Sequence, residues 1–254
     1  MVRSLVIAVA ILGGTLGVSW ALHVEPARQE YVLAPGSSKR AEIEVMNDGQ
    51  QPLHIEVSEK TWFTLEENKQ FPVDSWMEIH GDKSFVLKPG ERRKVKLTLK
   101  CPKGAQGELV GMASFLYVAQ EDQMVTPIIS VSVYVAVKGT ERSEGEITDL
   151  VVREWQGKIQ MGVEVKSTGN VSLRPSGRIS IVDAAGHEVS SQPVLESGPA
   201  YPGRVEPYVV ADPNLKLKAG RYQARAQLVT RGVMMTATRD FDVADDGKIT
   251  LTPK

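Results

Sequence analysis

The sequence predicts an all-β protein of two tandem sandwich domains behind an N-terminal export signal. Three observations carry this: apolar residues alternating with polar ones, turn residues at sandwich spacing, and one polar break near residue 140. Alternation at period two marks strands with one face in a core. Ala41, Ile43 and Val45 alternate with Arg40, Glu42 and Glu44, and Leu53, Ile55 and Val57 with His54 and Glu56. Val95, Leu97 and Leu99 alternate with Lys94, Lys96 and Thr98, and Cys101 falls in phase with the apolar set. The longest row is Ile129, Val131, Val133, Val135 and Val137. Ile159, Met161, Val163 and Val165 repeat the pattern, as do Tyr222, Ala224, Ala226 and Leu228. Beyond the N-terminal segment, no stretch sustains a helical period with caps.

Turn pairs punctuate these runs: Pro35-Gly36, Asp48-Gly49, Pro89-Gly90, Gly169-Asn170, Ala185-Gly186, Pro202-Gly203 and Ala219-Gly220. The segment from Gly139 to Gly145 is polar and glycine-flanked, which reads as a linker open to proteases. The expected division is 1–21 signal peptide, 22–139 first domain, 140–145 linker and 146–254 second domain. Each domain is long enough for a seven-stranded immunoglobulin-like sandwich. A short internal echo accompanies the split: Leu87-Lys88-Pro89-Gly90 precedes one long strand and Leu217-Lys218-Ala219-Gly220 another.

Arg3, the apolar run Leu5 to Val18 and the small residues of Ser19-Trp20-Ala21 form a secretory signal cleaved after Ala21. The rival is an uncleaved anchor, although spans need about 20 apolar residues and His23 and Glu25 end this run early. With no second long apolar stretch, the mature protein is expected to be soluble, and periplasmic or secreted.

Composition excludes several function classes. The formal net charge is -1, so no global field recruits nucleic acid or anionic membrane. The single cysteine, Cys101, can form no internal disulfide and reads as a small buried residue at a strand end. His23, His54, His80 and His187 lack metal-ligand spacing, so no metal or other cofactor is expected. No phosphate-binding loop or nucleophile elbow occurs, and the acidic pairs Glu66-Glu67, Glu121-Asp122 and Asp245-Asp246 read as solvated loop charge. The basic run Arg92-Arg93-Lys94 with Lys96 reads as a solvated sheet face, and Asn170-Val171-Ser172 as a chance glycosylation triplet. Nothing points to an enzyme.

One feature stands out. Val110 to Ala119 is apolar on both phases, with Met112, Leu116 and Val118 on one and Ala113, Phe115 and Tyr117 on the other. The next strand carries Tyr134 and Ala136 opposite its aliphatic row. An outer face this apolar is expected to be covered, by the second domain or by a partner.

The first domain resembles the PapD-like periplasmic pilus chaperones. The likeness runs through Val24-Glu25-Pro26-Ala27-Arg28, the Ala41-to-Asn47 strand, Leu87-Lys88-Pro89-Gly90-Glu91 and the Ile129-to-Val137 strand. It implies two immunoglobulin-like domains, no catalysis, and capture of a pilus-type subunit or other envelope protein by β-strand addition. The implied client-binding residues are Arg28, Phe115, Tyr117, Ile129, Val131, Val133, Tyr134 and Val135, with Arg28 matching an arginine that anchors the client's carboxylate. The aliphatic row has equally the period of plain core. The sequence departs from the family in two ways. Ser130, Ser132, Tyr134 and Ala136 leave no place for the family's strand lysine, and the Gln120-to-Met124 connection is short. A second likeness, to immunoglobulin-like ectodomains of Gram-positive surface proteins, implies instead a structural or adhesive envelope protein.

Overall fold

The computed structural model describes residues 22–118 and 127–253; the signal reading over 1–21 and the Gln120-to-Met124 connection lie outside the described residues. The first sandwich is built from β1 (Leu22–Glu25), β2 (Arg28–Leu33), β3 (Ser38–Asn47), β4 (Leu53–Phe63), β5 (Met77–His80), β6 (Ser84–Leu87), β7 (Arg92–Lys100), β8 (Glu108–Val118) and β9 (Ile128–Val137). The second comprises β10 (Gly145–Trp155), β11 (Lys158–Ser167), β12 (Ser176–Asp183), β13 (Glu188–Val194), β14 (Val205–Asp212), β15 (Gly220–Thr230), β16 (Val233–Val243) and β17 (Ile249–Leu251).

In the first sandwich a four-stranded sheet, β1-β3-β7-β5, packs on a five-stranded one, β2-β9-β8-β4-β6. In the second, β10-β11-β14 faces β13-β12-β15-β16-β17. The chain is thus all-β, two immunoglobulin-like sandwiches with separate cores. The alternating residues do what their period implies: Ile43, Val45, Ile55, Leu97, Leu99, Val131, Val133, Val135 and Val137 meet in one core, Met161, Val165, Ile179, Ile181, Ala224 and Leu228 in the other. Each fully buried aliphatic side chain contributes about 1.5–3 kcal/mol of transfer free energy. Cys101 joins the first core, where burial pushes its thiol pKa up. On the outer face of β3 and β7 the basic run meets acidic partners, Arg92 to Glu44 at 2.7 Å and Lys94 to Glu42 at 3.1 Å.

The fold exceeds seven strands per sandwich partly because the first strand is divided. β1 pairs antiparallel with β3 in one sheet, and β2 crosses over to pair parallel with β9 in the other. One helical turn, α1 (Val73–Trp76), also lies inside the first domain, too short to leave a helical period. It packs over Gly111, where a Cβ would lie 2.7 Å from a Val73 methyl, so the strand β8 is bare at that point.

The 139–145 segment is not an open tether. Gly107 N–H donates to Thr140 Oγ1 (2.8 Å), Arg142 N–H donates to the Asn170 side-chain oxygen (2.6 Å), and the Asn170 amide nitrogen donates to the Thr140 carbonyl (3.0 Å). Both ends of the Asn170 side chain thus serve the junction, and the adjoining Val171 and Ser172 are buried. Polar composition suggested freedom; here the polar groups are the fastening.

Candidate functional site

Two features meet at one place: an open stretch of strand edge and a charged cleft between the domains. The edge arises from register. β8 pairs with β9 from Ile128 to Ala136, whereas β2 pairs with it only from Ser132, opposite Arg28, to Val137, opposite Leu33. Among the described residues, no strand pairs with Ile128–Val131 on the β2 side. Ile128 is 51% exposed, and Ile129 and Ser130 are half-buried. Arg28 stands where β2 ends. Its neighbour Gln29 points inward and is held by the Glu42 carbonyl (2.7 Å) and the Tyr31 hydroxyl (3.0 Å), which turns Arg28 and Glu30 outward.

The predicted site residues do not share one face. Phe115 lies opposite Ile129 and Ala113 opposite Val131, so Phe115, Tyr117, Ile129, Val131, Val133 and Val135 all point toward the first core. Tyr134 points the other way, opposite Val110 and Glu30. The expectation of an outer patch uniting Phe115, Tyr117 and Tyr134 is corrected accordingly, because β8 is apolar on both phases and its sequence gives no phase. Phe115, Val131, Val133 and Val135 have no exposed surface, so the aliphatic row closes this chain's own core. What remains open is the β9 edge at Ile128 and Ser130, the Ile128 side chain and Arg28, since the backbone groups of Ile129 and Val131 face β8.

Tyr134 is covered by the second domain. Its hydroxyl lies 3.1 Å from that of Tyr201, and the Arg174 guanidinium sits 4.7 Å from its ring centroid. Tyr201 in turn stacks on Phe63, centroids 4.7 Å apart, with Arg204 over the far ring at 5.5 Å. Desolvation first, and then the Tyr134 hydroxyl, raise the Tyr201 pKa well above its ordinary value. Beside this pair, Glu108 is buried with one oxygen 3.1 Å from Arg231 and the other accepting the Ser172 N–H at 3.0 Å. Burial pushes the Glu108 carboxyl up, opposed by the Ser172 hydrogen bond and by Arg231. Arg231 reaches it from a two-residue hairpin, Arg231-Gly232, in which both residues have positive φ (43° and 79°). Sequence reading missed Arg174, Tyr201, Glu108 and Arg231. Only Arg231-Gly232, between two alternating runs, carried a local signal of its place.

The cleft holds about 310 Å³ and is lined by Arg28, Glu30, Arg174, Glu196 and Arg231, with Ser176, Val229 and Thr230. Arg28 Nε lies 3.0 Å from Glu30 Oε1 and its Nη1 2.6 Å from Glu196 Oε1. Glu30 is shared: Arg174 Nε is 3.2 Å from Oε1 and Arg231 is 3.7 Å from Oε2. The lining offers three guanidinium groups against two carboxylates, so it suits a small anionic group at the end of an open strand edge. Among the described residues no group of three or more His, Cys, Asp or Glu is arranged to hold a metal ion.

Fold and site together define a class: a two-domain immunoglobulin-like protein with a charged groove between its sandwiches and an open strand edge beside it. No protein-family model matches the chain, and no curated protein matches its sequence. Among solved structures it is similar to the YadV chaperone, at 11% identity over 87% of this chain and 99% of that one, with a TM-score of 0.47. It is also similar to the CupB2 chaperone of Pseudomonas aeruginosa (11% identity, 86% and 98% covered, TM-score 0.42). A third is a chain of the Salmonella enterica SafA pilin–SafB chaperone complex (12% identity, 85% and 95% covered, TM-score 0.44). The first two are chaperones, and the third is a complex of a pilin with its chaperone.

Proposed function

We propose that this chain is a non-enzymatic, extracytoplasmic protein-binding module that captures an extended client segment by strand addition along Ile128–Ser130. The observation that carries the reading is the register offset. β2 begins only at Arg28, opposite Ser132, which leaves the β9 edge at Ile128 and Ser130 unpaired on that side, beside an arginine suited to a carboxylate. Backbone pairing supplies affinity in this mode, and a guanidinium contact at one end fixes register. The aliphatic row acts from behind, as the core that keeps β9 flat, and Ile128 is the side chain offered to the client. A pilus-type subunit or another envelope protein is the proposed client class, and the periplasm the proposed compartment.

A second reading has its own support. The buried ionic and aromatic junction suits a rigid spacer in a structural or adhesive envelope protein. Fluorescence anisotropy with a labelled peptide of alternating Val and Ser and a free carboxyl terminus separates the two. The expected outcome is saturable binding, weakened about tenfold in Arg28→Ala through loss of a charge-assisted contact. Absence of binding to the intact chain leaves the spacer.

A further inference from the structure

Arg28 in this structure is not waiting empty. A guanidinium offers a carboxylate two paired-donor edges, Nε with Nη2 and Nη1 with Nη2. Glu30 lies 3.0 Å from the Nε of Arg28, and Glu196 lies 2.6 Å from its Nη1. A client carboxylate that seeks a two-point contact on Arg28 therefore competes with one of them. The two are held unequally. Glu30 lies within the same sheet as Arg28 and is bound by Arg174 and Arg231 as well. Glu196, 46% exposed, comes from the second domain, and its ion-pair partner among the described residues is Arg28. It is delivered there by a segment tied down on its far side: Arg174 Nη1 donates to the Ser197 carbonyl (3.4 Å), the Tyr208 hydroxyl donates to the Gly198 carbonyl (2.8 Å), and Leu173 and Ala200 exchange backbone hydrogen bonds. The segment is anchored while the Glu196 side chain is exposed.

We infer that Glu196 is an internal stand-in for the client's carboxylate, so that engagement at Arg28 is an exchange of one carboxylate for another. This rests on the strand-addition reading and adds a regulatory contact to it: the second domain caps the anchor that the first domain presents. The cap disfavours weak or carboxylate-free ligands, since only a carboxylate replaces what Arg28 gives up. It also lowers affinity for the correct one by the strength of an exposed ion pair.

The test uses the full mature chain and two probes, the alternating Val/Ser peptide as free acid and as C-terminal amide. Wild type, Glu196→Gln and Glu196→Ala are titrated with each. Both variants should bind the acid about two- to fivefold more tightly than wild type, the range set by an exposed ion pair. Their affinity for the amide should not change. Equal acid affinity in wild type and variants overturns the cap while leaving strand addition intact, provided wild type still prefers acid to amide. A gain of the same size for acid and amide also overturns it, because that reports a loosened domain junction. Absence of binding by all three proteins removes both this inference and the reading beneath it.

Discussion

Glu108 concentrates the residue-scale physics of this molecule. A carboxylate taken out of water is costly unless its oxygens are satisfied, and here one oxygen meets Arg231 and the other the Ser172 N–H. Arg231 reaches it from a left-handed backbone position that a non-glycine residue adopts at a cost, and the ion pair offsets that cost. Burial still leaves the Glu108 pKa above its ordinary value of 4.5. The folded chain therefore holds this proton at pH values where the unfolded chain has released it. The sign follows: stability from this group falls as pH rises from 4.5 through the raised value, and does not recover above it. Glu108→Gln cannot ionise, so its melting temperature, followed from about pH 4 to 7, should decline less over that window than wild type. A parallel or steeper decline would contradict this. None of this was legible in the sequence, where Glu108 is one acid at the start of an apolar strand and its partner lies far along the chain.

At the scale of elements, alternation is informative where one phase is apolar and silent where both are. β3, β7, β9 and β11 show their inward faces in their residues, because each has charged or hydroxyl residues on the other phase. β8 does not. Its outer phase is buried at Val110 and half-buried at Met112 and Leu116, so large apolar residues stand on both phases, with Ser114 the one polar residue between Val110 and Leu116, and the orientation of Phe115 and Tyr117 was lost. β2 was hidden for another reason: its inward row of Gln29, Tyr31 and Leu33 opens on a polar residue, whose amide donates to the Glu42 carbonyl. The turn before β8 shows how closely the elements approach. Gly107 has φ of 63°, and a Cβ there would lie 2.4 Å from the Asn170 carbonyl oxygen. Gly107→Ala should lower unfolding stability by about 1–3 kcal/mol, through backbone strain and overpacking. Urea denaturation measures it, and an unchanged midpoint would mean that the junction yields freely.

For the whole molecule, the two sandwiches are joined by paired polar groups on both sides of the 139–145 segment, and the resulting groove brings Arg28, Arg174 and Arg231 together. The sequence carried the all-β class, the two cores and Arg28 as a candidate anchor. It did not carry the second domain's part in the site, since Arg174, Glu196 and Arg231 become neighbours of Arg28 only through the domain arrangement. The central claim is that a client strand adds to the open edge of β9. Amide hydrogen exchange of the full chain, with and without the alternating Val/Ser peptide, tests it most directly. Slowed exchange is expected at Ile128, Ser130 and the residues around Arg28, with the amides of β13 and β14 unaffected. Bound peptide with no protection at Ile128 and Ser130, or with protection centred on the second domain, would contradict it.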